Sequence, residues 1–192
     1  REDMDLVDLF IGSEGTLGII SQIELRLIKE PLEIWGLMFL LKEEDYAIKF
    51  VKALRGDAST ASFNKANEAS GDTELCSAAI EYFNGDALEL LRIQKESNAA
   101  FSNITNVDRK FNSAVYVELH GDNEDDVMES MGEVLERAER CGGCESDTWV
   151  ASTPQLMESM KLFRHAVPEA VNLLIDQRRR KDPDITKLGT DM

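Results

Sequence analysis

Ile34-Trp35-Gly36-Leu37-Met38-Phe39-Leu40-Leu41 is the longest apolar run in the chain. Its length suits a strand and falls well short of the roughly 18 residues that a membrane helix needs. No polar side chain interrupts it, so it reads as a strand buried on both faces. Just upstream, Lys29-Glu30-Pro31 is a breaker, because proline cannot donate to a strand ladder and restricts the residue before it. A domain junction is placed there, with a segment over 1–30 and a body over 31–192.

Downstream of the run, Ala47, Phe50, Val51 and Leu54 recur at helical spacing until Gly56. Residues 57–73 are rich in Ser, Thr, Asn, Asp and Gly and read as an exposed loop, with a short helix around Phe63. A second strand is expected over 75–83. Asn84-Gly85-Asp86 then turns and caps a helix that carries Ala87, Leu90 and Leu91 inward to about Ser97. After a polar connection over 98–112, Val115, Val117 and Leu119 alternate with Tyr116 and Glu118 as a third strand. His120-Gly121-Asp122-Asn123 leads into a helix with Val127, Met131, Val134, Leu135 and Ala138 on its inner stripe. Thr148 to Ala151 is a short fourth strand, and Thr153-Pro154 caps a last long helix. The order β-α-β-(α)-β-α-β predicts an α+β fold: a ferredoxin-like antiparallel sheet with its helices on one face. Upstream of the junction, Leu17, Ile19, Ile23, Leu25 and Leu27 alternate with polar residues, which predicts a half-buried strand over 17–28.

Composition narrows the function classes. Thirty-seven acidic against 21 basic side chains give a formal net charge of -16, which repels phosphate backbones and anionic lipid, so neither nucleic acid nor a membrane span is expected. Cys76, Cys141 and Cys144 are too few for a disulfide scaffold and suit a reducing cytoplasm. The chain opens on Arg1 in an acidic stretch and is read as a segment of a longer protein.

The stretch Leu9-Phe10-Ile11-Gly12-Ser13-Glu14-Gly15-Thr16-Leu17-Gly18-Ile19-Ile20 places three glycines at intervals of three. Glycine admits positive φ and lets a flat ring or a phosphate approach main-chain N–H groups, while Ser13 and Thr16 add short hydroxyl donors. Spacing alone leaves a plain turn open as the alternative. The full string resembles the last segment of the FAD-binding domain in the vanillyl-alcohol oxidase and p-cresol methylhydroxylase superfamily. Among its branches it looks most like the group of glycolate oxidase, D-lactate dehydrogenase and D-2-hydroxyglutarate dehydrogenase. The resemblance implies FAD as cofactor, with Gly12, Ser13, Glu14, Gly15, Thr16, Gly18 and Ile20 beside the flavin. It also implies a cap domain with a ferredoxin-like sheet after the junction.

A second match is Met160-Lys161-Leu162-Phe163-Arg164-His165 on the last helix. Related enzymes carry an arginine here, often in the pattern Leu-Trp-x-x-Arg, and the resemblance makes Arg164 the residue that binds a substrate carboxylate, with His165 beside it. Lys161 stands where the tryptophan would be. Gly189-Thr190-Asp191-Met192 resembles the start of the family's following strand. The implied reaction is oxidation of a small 2-hydroxy acid, of the D-lactate or glycolate type, by hydride transfer to flavin. The catalytic base and the pyrophosphate loop are expected outside these residues, so the chain alone is expected to be inactive. A second copy or an electron-accepting protein is a compatible partner.

Bland readings stand beside these. Cys141-Gly142-Gly143-Cys144 offers half a zinc site or a redox pair, but the glycines read first as a helix stop, and no metal is expected. His120 reads as a surface histidine at a strand end. Arg178-Arg179-Arg180-Lys181 reads as a helix end whose charge complements the dipole. The rival function is a non-catalytic ferredoxin-like module for ligand binding or protein interaction.

Overall fold

The chain divides between Glu30 and Pro31 into two units, and the computed structural model describes residues 6–27, 29–55 and 77–186. In the first unit, Leu6–Phe10 forms a short helix, α1, followed by a turn. The strand expected over 17–28 is not formed across the described residues 17–27. Ile19 is 97% exposed and Leu27 88% exposed, so the alternating stripe is not buried. A strand is held by ladder hydrogen bonds to a neighbour, and an alternating pattern supplies only the side-chain half of that requirement. The loop expected at 57–73, Cys76 and the Gly189 to Met192 match lie outside the described residues.

The second unit is built around the run that opens it. β1 spans Glu33–Leu41, α2 Glu44–Arg55, β2 Ser77–Phe83, α3 Gly85–Ser97, β3 Ser113–Gly121, α4 Glu124–Arg140, β4 Thr148–Ala151 and α5 Pro154–Arg179. The sheet order is β2-β3-β1-β4, and every neighbouring pair is antiparallel. Each of β1-α2-β2 and β3-α4-β4 therefore skips over one strand, which is the split pattern of a ferredoxin-like sheet. Leu37 faces Val117 on one side and Val150 on the other, so the apolar run lies at the middle of the sheet.

The expectation that the helices share one face holds for α2 and α4 and needs correction for the other two. Trp35, Leu37, Phe39 and Leu41 pack with Val115, Val117 and Leu119 beneath Phe50 of α2 and Val134 of α4. Met38 and Leu40 point the other way, with Ala114 and Tyr116, against Leu88 and Leu91 of α3 and Phe163 of α5. Two helix layers thus enclose the sheet. The two-sided burial read from residues 34–41 required a second layer, and α3 and α5 supply it.

Local chemistry fixes the helix ends. The side chains of Asn84, Asn123 and Thr153 accept from the amides of Ala87, Asp126 and Leu156, each satisfying a first-turn donor. At the end of α4, Gly143 donates to the Ala138 carbonyl and Gly142, at φ 92°, to that of Glu139. This is a Schellman cap, and it accounts for both glycines of the Cys-x-x-Cys without a metal. Arg178 and Arg179 close the last turn of α5, where Arg179 also donates to the Ile185 carbonyl.

Gly36 serves a different need. A Cβ there would lie 2.8 Å from the Met160 sulfur, 3.0 Å from the Tyr116 ring and 3.1 Å from the Met157 sulfur. The missing side chain lets α5 settle close over the centre of the sheet. Gly36→Ala is expected to cost about 1–2 kcal/mol, softened by the flexibility of the two methionines. A urea unfolding midpoint equal to that of the parent would show that α5 is not held this closely.

Candidate functional site

β3 carries Tyr116, Glu118 and His120 at alternate positions, so all three share the face of the sheet that α5 covers. Glu81 of β2 lies opposite Tyr116 in the register and reaches the same face. Arg164 comes down from α5. Its Nε donates to Glu81 Oε2 at 2.9 Å and its Nη2 to Glu81 Oε1. The guanidinium carbon sits 4.0 Å from the centre of the Tyr116 ring, a stacking that suits a planar, weakly hydrated cation. Nη1 is 3.7 Å from Glu118 Oε2, close enough for electrostatic attraction but beyond hydrogen-bond range.

Glu118 ties the rest together. Tyr116 donates its hydroxyl to Oε2 at 2.7 Å, and His120 Nε2 meets Oε1 at 2.9 Å. An ionised carboxylate only accepts, so Nε2 is the donor in the Glu118 contact. Burial alone would raise the Glu118 carboxyl. The Tyr116 and His120 hydrogen bonds, helped by the Arg164 charge, outweigh burial and hold it below the usual carboxylate range. Tyr116 goes the other way: burial, the Glu118 hydrogen bond and the Glu118 charge keep its phenol protonated well above its ordinary range. Arg164 is raised further above its already high value, chiefly by the Glu81 hydrogen bond.

The cluster is half-buried. The Arg164 side chain is 19% exposed, Glu118 21% and His120 32%. Chemically it offers a fixed cation and, within one carboxylate's width, an oriented imidazole that can hold a proton. His165 is exposed; its Cβ leaves the helix about 100° round from that of Arg164, as adjacent helical positions must. His120, read from the sequence as a surface histidine, is instead half-buried in the cluster against Glu118. Glu81, Tyr116 and Glu118 were missed as site residues, although the alternation of β3 already put Tyr116 and Glu118 on one face.

The glycine-rich loop belongs to the first unit. Gly12 and Gly15 have φ of 76° and 80°, and Glu14, a non-glycine, has φ of 48°. The Ser13 amide donates to the Phe10 carbonyl, and the Thr16 amide and hydroxyl both donate to Ser13 O. A Cβ on Gly12 or Gly15 would meet open space, so these glycines answer to backbone conformation rather than to crowding. The loop is exposed apart from Ser13, which is half-buried. The Thr16 hydroxyl is already committed to the turn.

Among the described residues, no group of three or more His, Cys, Asp or Glu side chains is arranged to hold a metal ion. Cys141 and Cys144 are free thiols. Among the described residues, no helix is long and apolar enough to cross a membrane. No family model matches the chain, and no curated protein matches it.

Proposed function

We propose that the chain forms part of an FAD-dependent oxidoreductase acting on a small 2-hydroxy acid, of the D-lactate or glycolate type, in a reducing cytoplasm. Residues 31–192 act as the substrate-binding cap, and the Gly12 to Ile20 loop lies beside the flavin. The observation that carries this reading is Arg164: a half-buried guanidinium over the Tyr116 ring with one edge outside its internal ion pair. A guanidinium edge fits a carboxylate. FAD, when bound, would take up the hydride; the chain's own residues bind and orient the acid.

The test is anaerobic mixing of the FAD-loaded full-length protein with D-lactate, glycolate and D-2-hydroxyglutarate in turn. Bleaching of the flavin absorbance by at least one acid is the expected result, and no bleaching by any of them sinks the proposal. A non-catalytic ferredoxin-like module is the second reading, favoured by one observation: Arg164 is already neutralised by Glu81, as a purely structural ion pair would be. That reading expects no bleaching by any of the three acids.

A further inference from the structure

Glu81 occupies the position on Arg164 where a competitor for a substrate carboxylate would sit, and two carboxylates already face this single guanidinium. Geometry separates two roles that charge counting confuses. A guanidinium has a side-on edge, Nε with Nη2, and an end-on edge, Nη1 with Nη2. Glu81 takes the side-on edge alone. The end-on edge, with one hydrogen from each of Nη1 and Nη2, lies outside that fork, and the Glu118 carboxylate oxygen beside Nη1 is beyond hydrogen-bond range at 3.7 Å.

We infer that Glu81 is a positioning residue, which grips Arg164 side-on so that its end-on edge is presented to a small monocarboxylate. The inference rests on the carboxylate reading of Arg164 given above. Three contacts then fix the plane and the rotation of the guanidinium: the Glu81 fork, the Tyr116 ring beneath it and the Glu118 charge beside it. Pro168 has no N–H, so the Arg164 carbonyl lacks its usual donor from four residues on within the continuous helix α5. The ligand class that follows is a monocarboxylate, since two carboxylates, Glu81 and Glu118, already face the guanidinium and a further one would add to their repulsion.

The experiment is side-chain NMR on the 192-residue chain labelled with 15N-arginine, assigned through Arg164→Lys and titrated with D-lactate. In the parent, the Arg164 Nε–H signal should be shifted and slow to exchange, as a charge-paired N–H is, and lactate should perturb it in a saturable way. Glu81→Gln keeps the shape and removes the charge. It should restore fast exchange at Arg164 Nε and weaken lactate binding about tenfold, as loss of aim does at a binding group. Circular dichroism of both variants checks that the fold persists, and Glu81→Asp, which keeps the charge, should restore part of the exchange protection. A parent that binds lactate while Glu81→Gln binds it equally or more tightly overturns the positioning role alone, since Glu81 would then be a bystander or a competitor. A parent whose Arg164 signal ignores lactate overturns the carboxylate reading, and this inference with it.

Discussion

Arg92→Ala is expected to destabilise the sheet-bearing unit by about 3–4 kcal/mol, the largest single-residue effect outside the apolar core. Arg92 sits on α3 with its side chain only 10% exposed. Its Nε donates to the Val107 carbonyl at 3.0 Å, and its Nη2 donates to those of Asp108 at 2.9 Å and Phe111 at 2.8 Å. Glu89 balances the charge from one turn earlier at 3.1 Å. One cation thus satisfies three carbonyls of a connection that has no ladder of its own. That connection matters to the core because it delivers Phe101, Val107 and Phe111, all buried, against α3 and α5. With alanine the part-buried Val107 and Phe111 carbonyls lose charge-assisted donors, and the three apolar anchors lose their tether. Urea unfolding gives the stability change, and hydrogen exchange over residues 98–112 should rise well before that of β1 and β3. Arg92→Lys should recover only a fraction, since an ammonium cannot span three carbonyls in one plane. Equal unfolding midpoints for the parent and the alanine variant would show that apolar anchoring alone holds the connection.

The second large effect is at Arg164, where alanine should cost about 2–3 kcal/mol at neutral pH and, on the proposed reading, remove carboxylate binding altogether. The variant leaves Glu81 and Glu118 facing one another with no cation between them, and uncovers the Tyr116 ring. The sign of the pH dependence follows from Glu118. Its carboxyl is held below the usual range when folded, with burial opposing and the Tyr116 and His120 hydrogen bonds prevailing. Stability from such a group is present above its unfolded pKa and lost as pH falls through its folded one. The gap between parent and variant should therefore be widest near neutrality and narrow below the ordinary carboxylate range, where Glu118 becomes neutral. Urea midpoints at neutral and acid pH measure it. A gap that is the same at both would assign the loss to packing against Tyr116 instead of to charge.

Much of the second unit was legible because its signals are local. The unbroken run 34–41 gives a two-sided strand. The cap residues Asn84, Asn123 and Thr153 mark helix starts, and Gly142-Gly143 mark a stop whose hydrogen bonds explain the glycines of the cysteine pair. The connection over 98–112 was less legible: Phe101, Val107 and Phe111 have no period, so nothing local says they are buried. The stripe over 17–27 failed in the opposite sense. Its alternation is as regular as that of β3, yet no strand forms there, since pairing depends on a neighbour that alternation does not specify.

The candidate site divides along the same line. Arg164 and the alternation of Tyr116, Glu118 and His120 are sequence features, and they fix what chemistry is available. Glu81 is 83 residues from Arg164 along the chain, and only the β2–β3 register, which sets Glu81 opposite Tyr116, brings the two together. The sequence by itself determined the elements of the second unit and their order, because periodicity and capping act within a few residues, and that order points to the split antiparallel sheet. Tertiary structure alone decided that α3 and α5 form a second layer, that Arg92 ties down an aperiodic connection, and that Glu81 holds one edge of Arg164 while leaving the other. Each of these depends on which residues meet across a long loop, and local propensity carries no record of that.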